Sequence, residues 1–133
     1  MLAVSVHSHG FIADSSKQAS EIFYEPYAHV MNKIGRERGW SPMTRQQYEA
    51  LRSERGALLV GDAQEVTEKI LYEHNLLGLD RFLLHISVGT MPHDAVMRCI
   101  ELLGTKVAPA VRREVARRSG VSRVQQGAAG AGQ

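Results

Sequence analysis

Short apolar runs alternate with longer amphipathic ones along this chain. "VSVHSHGF", residues 4–11, alternates with period two and reads as a strand closing at Gly10. Side chains alternate across a strand, so His7 and His9 point to one side. A capping box, Ser15 with Gln18 (Asp14 being the other N-cap candidate), then opens a helix. Its inner face is Ala19, Ile22, Phe23, Pro26, Tyr27, Val30, Met31 and Ile34, with a kink or break expected at Pro26 and an end near Gly39. Thr44 with Gln47 opens a second, short helix to about Glu54, with Tyr48 and Leu51 inward. "GALLVG", 56–61, suits a buried strand. Asp62 and Glu65 cap the next helix, whose inner face is Val66, Ile70, His74 and Leu77 and whose end is Gly78. "RFLLHIS", 81–87, is a third strand and "VGT" a loop. Pro92 starts a last helix with Val96, Ile100 and Leu103 inward, and Gly104 and Pro109 interrupt its continuation.

The pattern is β-α-(α)-β-α-β-α, which implies an α/β fold with a parallel sheet and covering helices. A chain of 133 residues is one domain's worth or less and can bury a real core. An apolar fraction of 44% with 23% charged residues is ordinary for a globular protein, and no apolar run approaches a bilayer span. Neither a signal peptide nor an internal disulfide is expected, since Cys99 is the single cysteine, so a cytoplasmic location is the expectation. Cys99, beside Ile100, reads as a buried, inert thiol.

The net charge of +2 is unevenly placed: Lys106, Arg112, Arg113, Arg117, Arg118 and Arg123 face only Glu114, and the remainder of the chain is net negative. Such a stretch suits a solvated helix end. With no aromatic side chain interleaved to stack on bases, no nucleic-acid partner is expected, nor a membrane one. The final "QQGAAGAGQ" is small and polar, so residues 114–133 read as a basic, then Gly/Ala-rich flexible tail.

"VSVHSHGFIADSSKQA", "YEPYAHVMNKIGRERGW", "LLVGDAQEVTEKIL", "LGLDRFLLHISVG" and "MPHDAVMRCIELLGTKVAPAVR" occur in this order from Val4 to Arg113. Together they resemble the C-terminal part of the bacterial luciferase-like, flavin-dependent monooxygenase family. The resemblance implies that residues 1–113 form the last three βα units of a (β/α)₈ barrel. On that alignment 4–9, 58–60 and 82–87 are strands six, seven and eight. It also implies FMN or the deazaflavin F420 as cofactor and a small organic substrate. A whole barrel needs about 250 residues, so the resemblance further implies self-association or an N-terminal barrel partner.

Barrel chemistry sits at the C-terminal strand ends. The resemblance therefore makes His7 and His9 candidates for a base or donor, and His9, His85, Ser87, Gly89 and Thr90 candidates for the flavin site. The Gly89–Thr90 loop is the better anion site, because at the Gly61–Asp62 turn the Asp62 carboxylate repels phosphate. Trp40, Met43 and Tyr48 either shape a pocket or pack a short helix. Two other classes stay open. One is a non-catalytic partial-barrel interaction subunit, with residues 4–9 and 82–87 as open strand edges. The other is a metal-dependent hydrolase fragment using His7 and His9. That reading lacks a third ligand, since Asp80 precedes its strand and nothing fixes His93 or Asp94, so no metal is expected.

Overall fold

The computed structural model describes residues 3–130, with side chains through residue 120. It contains β1 (Ser5–Ile12), α1 (Ser16–Arg38), α2 (Arg45–Arg52), β2 (Leu59–Gly61), α3 (Ala63–Leu77), β3 (Arg81–His85), α4 (His93–Leu102) and α5 (Ala108–Gly130). A π-helical turn, Leu103–Val107, carries α4 into α5, so Gly104 and Pro109 do not interrupt the helical run. The basic stretch therefore begins as helix. Residues 131–133, the end of the expected flexible tail, lie outside the described residues. No described helix is long and apolar enough to cross a membrane.

Most helix ends follow local chemistry. The Ser15 hydroxyl accepts from the Gln18 amide, Thr44 and Gln47 form a complete capping box, and Asp62 accepts from the Glu65 amide. Gly39 and Gly78 end α1 and α3 in the left-handed region, which a side chain rarely adopts. Pro26 is accommodated within α1 without ending it. Pro92 occupies the N-cap position, one residue before the place expected of it.

The strands form one open parallel sheet in the order β2-β1-β3, consistent with a fragment of a TIM-barrel-like fold. The order corrects the strand-six, -seven, -eight assignment. Sequential barrel strands would place β2 between the others, whereas here β3 pairs with β1. It also corrects the expected edges: β1 is central, and β2 and β3 are the edge strands. β1 runs past Gly10 to Ile12. Gly10 does not close the strand but admits close approach, because a Cβ there would lie 2.5 Å from the Leu59 carbonyl oxygen and 2.5 Å from Leu84 Cδ1. β3 stops at His85, which leaves Ser87 in the following loop.

Helices cover both faces unequally. On one face Phe11 stacks on Phe23 of α1, and Tyr27 packs against Phe23 and Tyr48. On the other, the Ile12 amide donates to the buried Sγ of Cys99 in α4, and Phe82 and Leu84 face Ile70, Val107 and Val111. The core is centred on the C-terminal half of β1, with Phe11, Ile12, Phe23, Tyr48 and Leu59 fully buried. Two helical faces differ from expectation. In α4 the buried residues are Cys99 and Leu102, while Ile100 is exposed; the inner face runs through Ala95, Cys99 and Leu102, one position before the expected one. In α3 Leu77 is exposed, while Lys69 is buried by donating to the carbonyls of Ser53 and Leu58.

Candidate functional site

Residues paired in register on adjacent parallel strands share a face. Ser5, His7 and His9 of β1 pair with Arg81, Leu83 and His85 of β3. His9 and His85 stand directly opposite one another, and His7 lies one pleat away. The three rings touch: centroids are 4.8 Å apart for His9–His85, 5.4 Å for His7–His85 and 6.1 Å for His7–His9. His7 and His85 stack with an interplanar angle of 5°. The sequence places His7 and His9 together; only the β1–β3 pairing adds His85.

The burial gradient along β1 defines this surface. His7, Leu83 and His85 are exposed, His9 is half-buried, and Phe11 is fully buried. α1 covers the C-terminal half of this face, where Tyr27 reaches the His9 ring at 6.2 Å, and leaves the N-terminal half open. Its position follows from topology. The chain leaves the central strand to one side for β2, then crosses to the other for β3. The order reverses at the β1–β3 pair, where only His85 stands at a carboxyl strand end; His7 and His9 lie within β1, short of its buried end at Ile12.

Burial holds the His9 imidazole below its ordinary pKa, and the nearby His85 and His7 rings lower it further. The neutral ring is therefore favoured. Its Nδ1 is buried and has no hydrogen-bond partner, an arrangement that costs free energy unless something else satisfies it. Asp80 is a staple elsewhere, accepting the Val4 amide at 2.8 Å where β1 begins.

The remaining candidates divide. Ser87 is exposed just beyond β3. Gly89, at φ 63°, belongs to a loop folded onto α1, where an added Cβ would lie 3.0 Å from Val30 Cγ2. Thr90 lines a groove of about 520 Å³ with Glu21, Glu25, Pro26 and His29, and this groove includes none of the three clustered histidines. Glu21 and Glu25 in that groove oppose an anion beside Thr90. Of the Trp40, Met43 and Tyr48 patch, Tyr48 is fully buried under α2 and bonded to the Ser20 carbonyl, whereas Trp40 is exposed and lines a separate groove with His29, Asn32 and Arg36 of α1. Cys99 is buried as expected, and burial raises its thiol pKa.

Solved structures sharing this fold include an FMN complex from Pseudomonas putida. It is a type II Baeyer–Villiger monooxygenase, the oxygenating constituent of 3,6-diketocamphane monooxygenase from the CAM plasmid. The match has a TM-score of 0.58 at 21% identity over 80% of this chain and 33% of that one. A monooxygenase from Streptomyces bottropensis matches with a TM-score of 0.57 at 18% identity, over 79% and 30%. The chain thus spans about a third of the length of these structures. No family model matches the chain, and no curated protein matches it. The likeness establishes an α/β fold shared with part of these monooxygenases.

Proposed function

We propose that this chain supplies part of a barrel in a flavin-dependent monooxygenase or related oxidoreductase acting on a small organic substrate. The observation that carries the reading is the fold shared with an FMN-bound monooxygenase. The histidine face supports it by offering an open cluster of polar rings on the β1–β3 pair, with His85 at the carboxyl end of β3.

The fit to a flavin is divided. A flat, partly apolar surface of Leu83 and stacked imidazoles suits a planar ring. The Thr90 groove, with Glu21 and Glu25, does not suit the phosphate. A bound flavin supplies two-electron redox chemistry. This chain's residues supply a wall: Tyr27 and α1 exclude water from one side of His9, and the neutral His9 ring holds or releases a proton at Nδ1. Completing the barrel falls to a second copy or an N-terminal partner, which the unpaired edges of β2 and β3 are free to extend.

Those two uncovered edges also support a second reading, a non-catalytic interaction module. Fluorescence titration with FMN and F420, each oxidised and reduced, separates the two. Saturable binding weakened by His9→Ala supports the flavin reading and names its branch. A folded chain, alone and with its assembly partner, that binds neither overturns it.

A further inference from the structure

We propose that the outer edge of β3 docks one extended strand from outside this chain. That strand runs parallel to β3, is apolar at alternate positions and carries a carboxylate beside Arg81. The inference deepens the barrel reading, on which it rests: it names the edge that is extended and the chemistry of the segment that extends it.

β2 and β3 both lack an outer strand neighbour, but their backbone groups differ. In β2 the Gly61 carbonyl accepts from the Ala13 amide, so Leu59 and Gly61 address β1 while Leu58 and Val60 point outward. Most of those outward groups are already bonded within the chain. The Leu58 amide donates to the Leu51 carbonyl, Lys69 Nζ donates to the Leu58 carbonyl, and Arg52 Nη2 donates to the Val60 carbonyl at 3.4 Å. Both cations are tethered elsewhere too, Lys69 to the Ser53 carbonyl and Arg52 to Glu49 and Ser16. A strand arriving at β2 has to displace them, and charged side chains laid along an edge are a known block to pairing.

β3 has no such cover. The Arg81 amide donates to the Val4 carbonyl, so Arg81, Leu83 and His85 address β1, and Phe82 and Leu84 present amide and carbonyl outward. Among the described residues, no side chain or loop is hydrogen-bonded to those outward groups. On the helix face, Phe82 lines two apolar grooves of about 340 and 180 Å³ with Ile70 and Val111, and Leu84 lines the smaller. A new strand lies about 4.7–4.9 Å from β3, so its same-face side chains come alongside Phe82 and Leu84. Open backbone groups beside apolar grooves are the means of strand addition.

Charge selects the occupant. Arg81 and Arg112 rim the larger groove, are exposed, and enter no ion pair among the described residues. The carboxylate of that groove, Asp80, is taken by the Val4 amide. A second copy would lay β3 on β3. "RFLLH" holds no carboxylate, and antiparallel pairing centred on Leu83 sets His85 beside Arg81. The unmet cations therefore favour a different segment with an Asp or Glu. In a parallel pair, a carboxylate at the start of that segment lies beside Arg81 at the start of β3.

The test is amide hydrogen exchange by NMR, with and without short synthetic peptides of alternating valine and threonine that carry one aspartate, either first or last. In the chain alone, the Phe82 and Leu84 amides should exchange fast and the Leu58 amide slowly. The aspartate-first peptide should slow Phe82 and Leu84 and bind more tightly than the aspartate-last one. Arg81→Gln should weaken the aspartate-first peptide by roughly 2–5-fold and erase the preference. Methylating alternate backbone nitrogens of the peptide should abolish binding in one phase and spare it in the other. Protection appearing at Val60 instead, a preference for the aspartate-last peptide, or no protection at all would overturn the proposal. So would protection of Phe82 and Leu84 that rises with chain concentration in the absence of peptide, which would make the occupant a second copy. Peptide binding needs no flavin, so a failed peptide beside saturable flavin binding removes the edge assignment and leaves the flavin reading standing.

Discussion

Gly10→Ala probes the strand order, on which the histidine site depends. At this position β1 meets β2 and β3 at once: the added Cβ falls 2.5 Å from the Leu59 carbonyl oxygen and 2.5 Å from Leu84 Cδ1. The leucine methyl can turn aside, but the carbonyl belongs to the β1–β2 ladder and moves only if the strands part. Overpacking of this kind costs about 1–3 kcal/mol. Replacing a strand glycine returns roughly 0.5–1 kcal/mol of backbone entropy, so steric strain prevails. The net loss, about 0.5–2 kcal/mol, lowers a urea midpoint by roughly 0.3–1 M for an ordinary m-value near 2 kcal/mol/M. Gly104→Ala is the internal control. Nothing lies within 4 Å of its added Cβ and it is helical, so a gain of up to roughly 1 kcal/mol is expected. Equilibrium urea unfolding followed by circular dichroism reads both. A Gly10→Ala midpoint at or above that of the parent would refute the reasoning, because it would mean that β1 is not clasped between two neighbours.

Other groups make separate predictions. Burial pushes the Tyr48 phenol up to about 12, while the unfolded phenol ionises near its ordinary value of about 10. Its contribution is therefore present below pH 10 and lost as pH rises toward 12, amounting to about 2–3 kcal/mol; Tyr48→Phe should flatten that decline, and an unchanged alkaline profile would contradict the assignment. Lys69→Met leaves the carbonyls of Ser53 and Leu58 without their shared donor, and a loss of about 2 kcal/mol in thermal or urea unfolding is expected, against none for an ordinary surface lysine. The Cys99 thiol, buried and accepting from the Ile12 amide, should react with a disulfide reagent only as fast as the protein opens; reaction at the rate of a free thiol would show that α4 does not cover the sheet.

Local chemistry makes most elements readable in the sequence. Ser15, Thr44 and Asp62 each sit three residues before the amide they cap, and Gly39 and Gly78 mark helix ends by the one conformation that glycine adopts cheaply. The same period-two logic puts His7 and His9 on one face. What local patterns do not carry is which strand lies beside which. His85 reaches His9 only through a pairing 76 residues apart, and nothing in "RFLLHIS" names its neighbour. Gly10 was legible as punctuation but not as close approach, although Phe11 and Ile12 continue the apolar run beyond it. Lys69 reads as a surface position because its partners are backbone carbonyls, which leave no mark in the side-chain pattern. The inner face of α4 runs through Ala95, Cys99 and Leu102, not Val96 and Ile100, because Cys99 is drawn against the Ile12 amide; apolar residues on both sides of the helix leave that choice open in the sequence.

The account turns on β3 lying against β1, so that His9 and His85 stand side by side. Nuclear Overhauser contacts between backbone protons of the two strands test this most directly. The account predicts parallel-strand contacts linking 7–9 with 83–85, together with contacts linking 10–12 with 59–61. Contacts between β2 and β3 with none between β1 and β3 would place β2 in the centre. That result would dissolve the three-histidine cluster and the wall that the flavin reading takes from it.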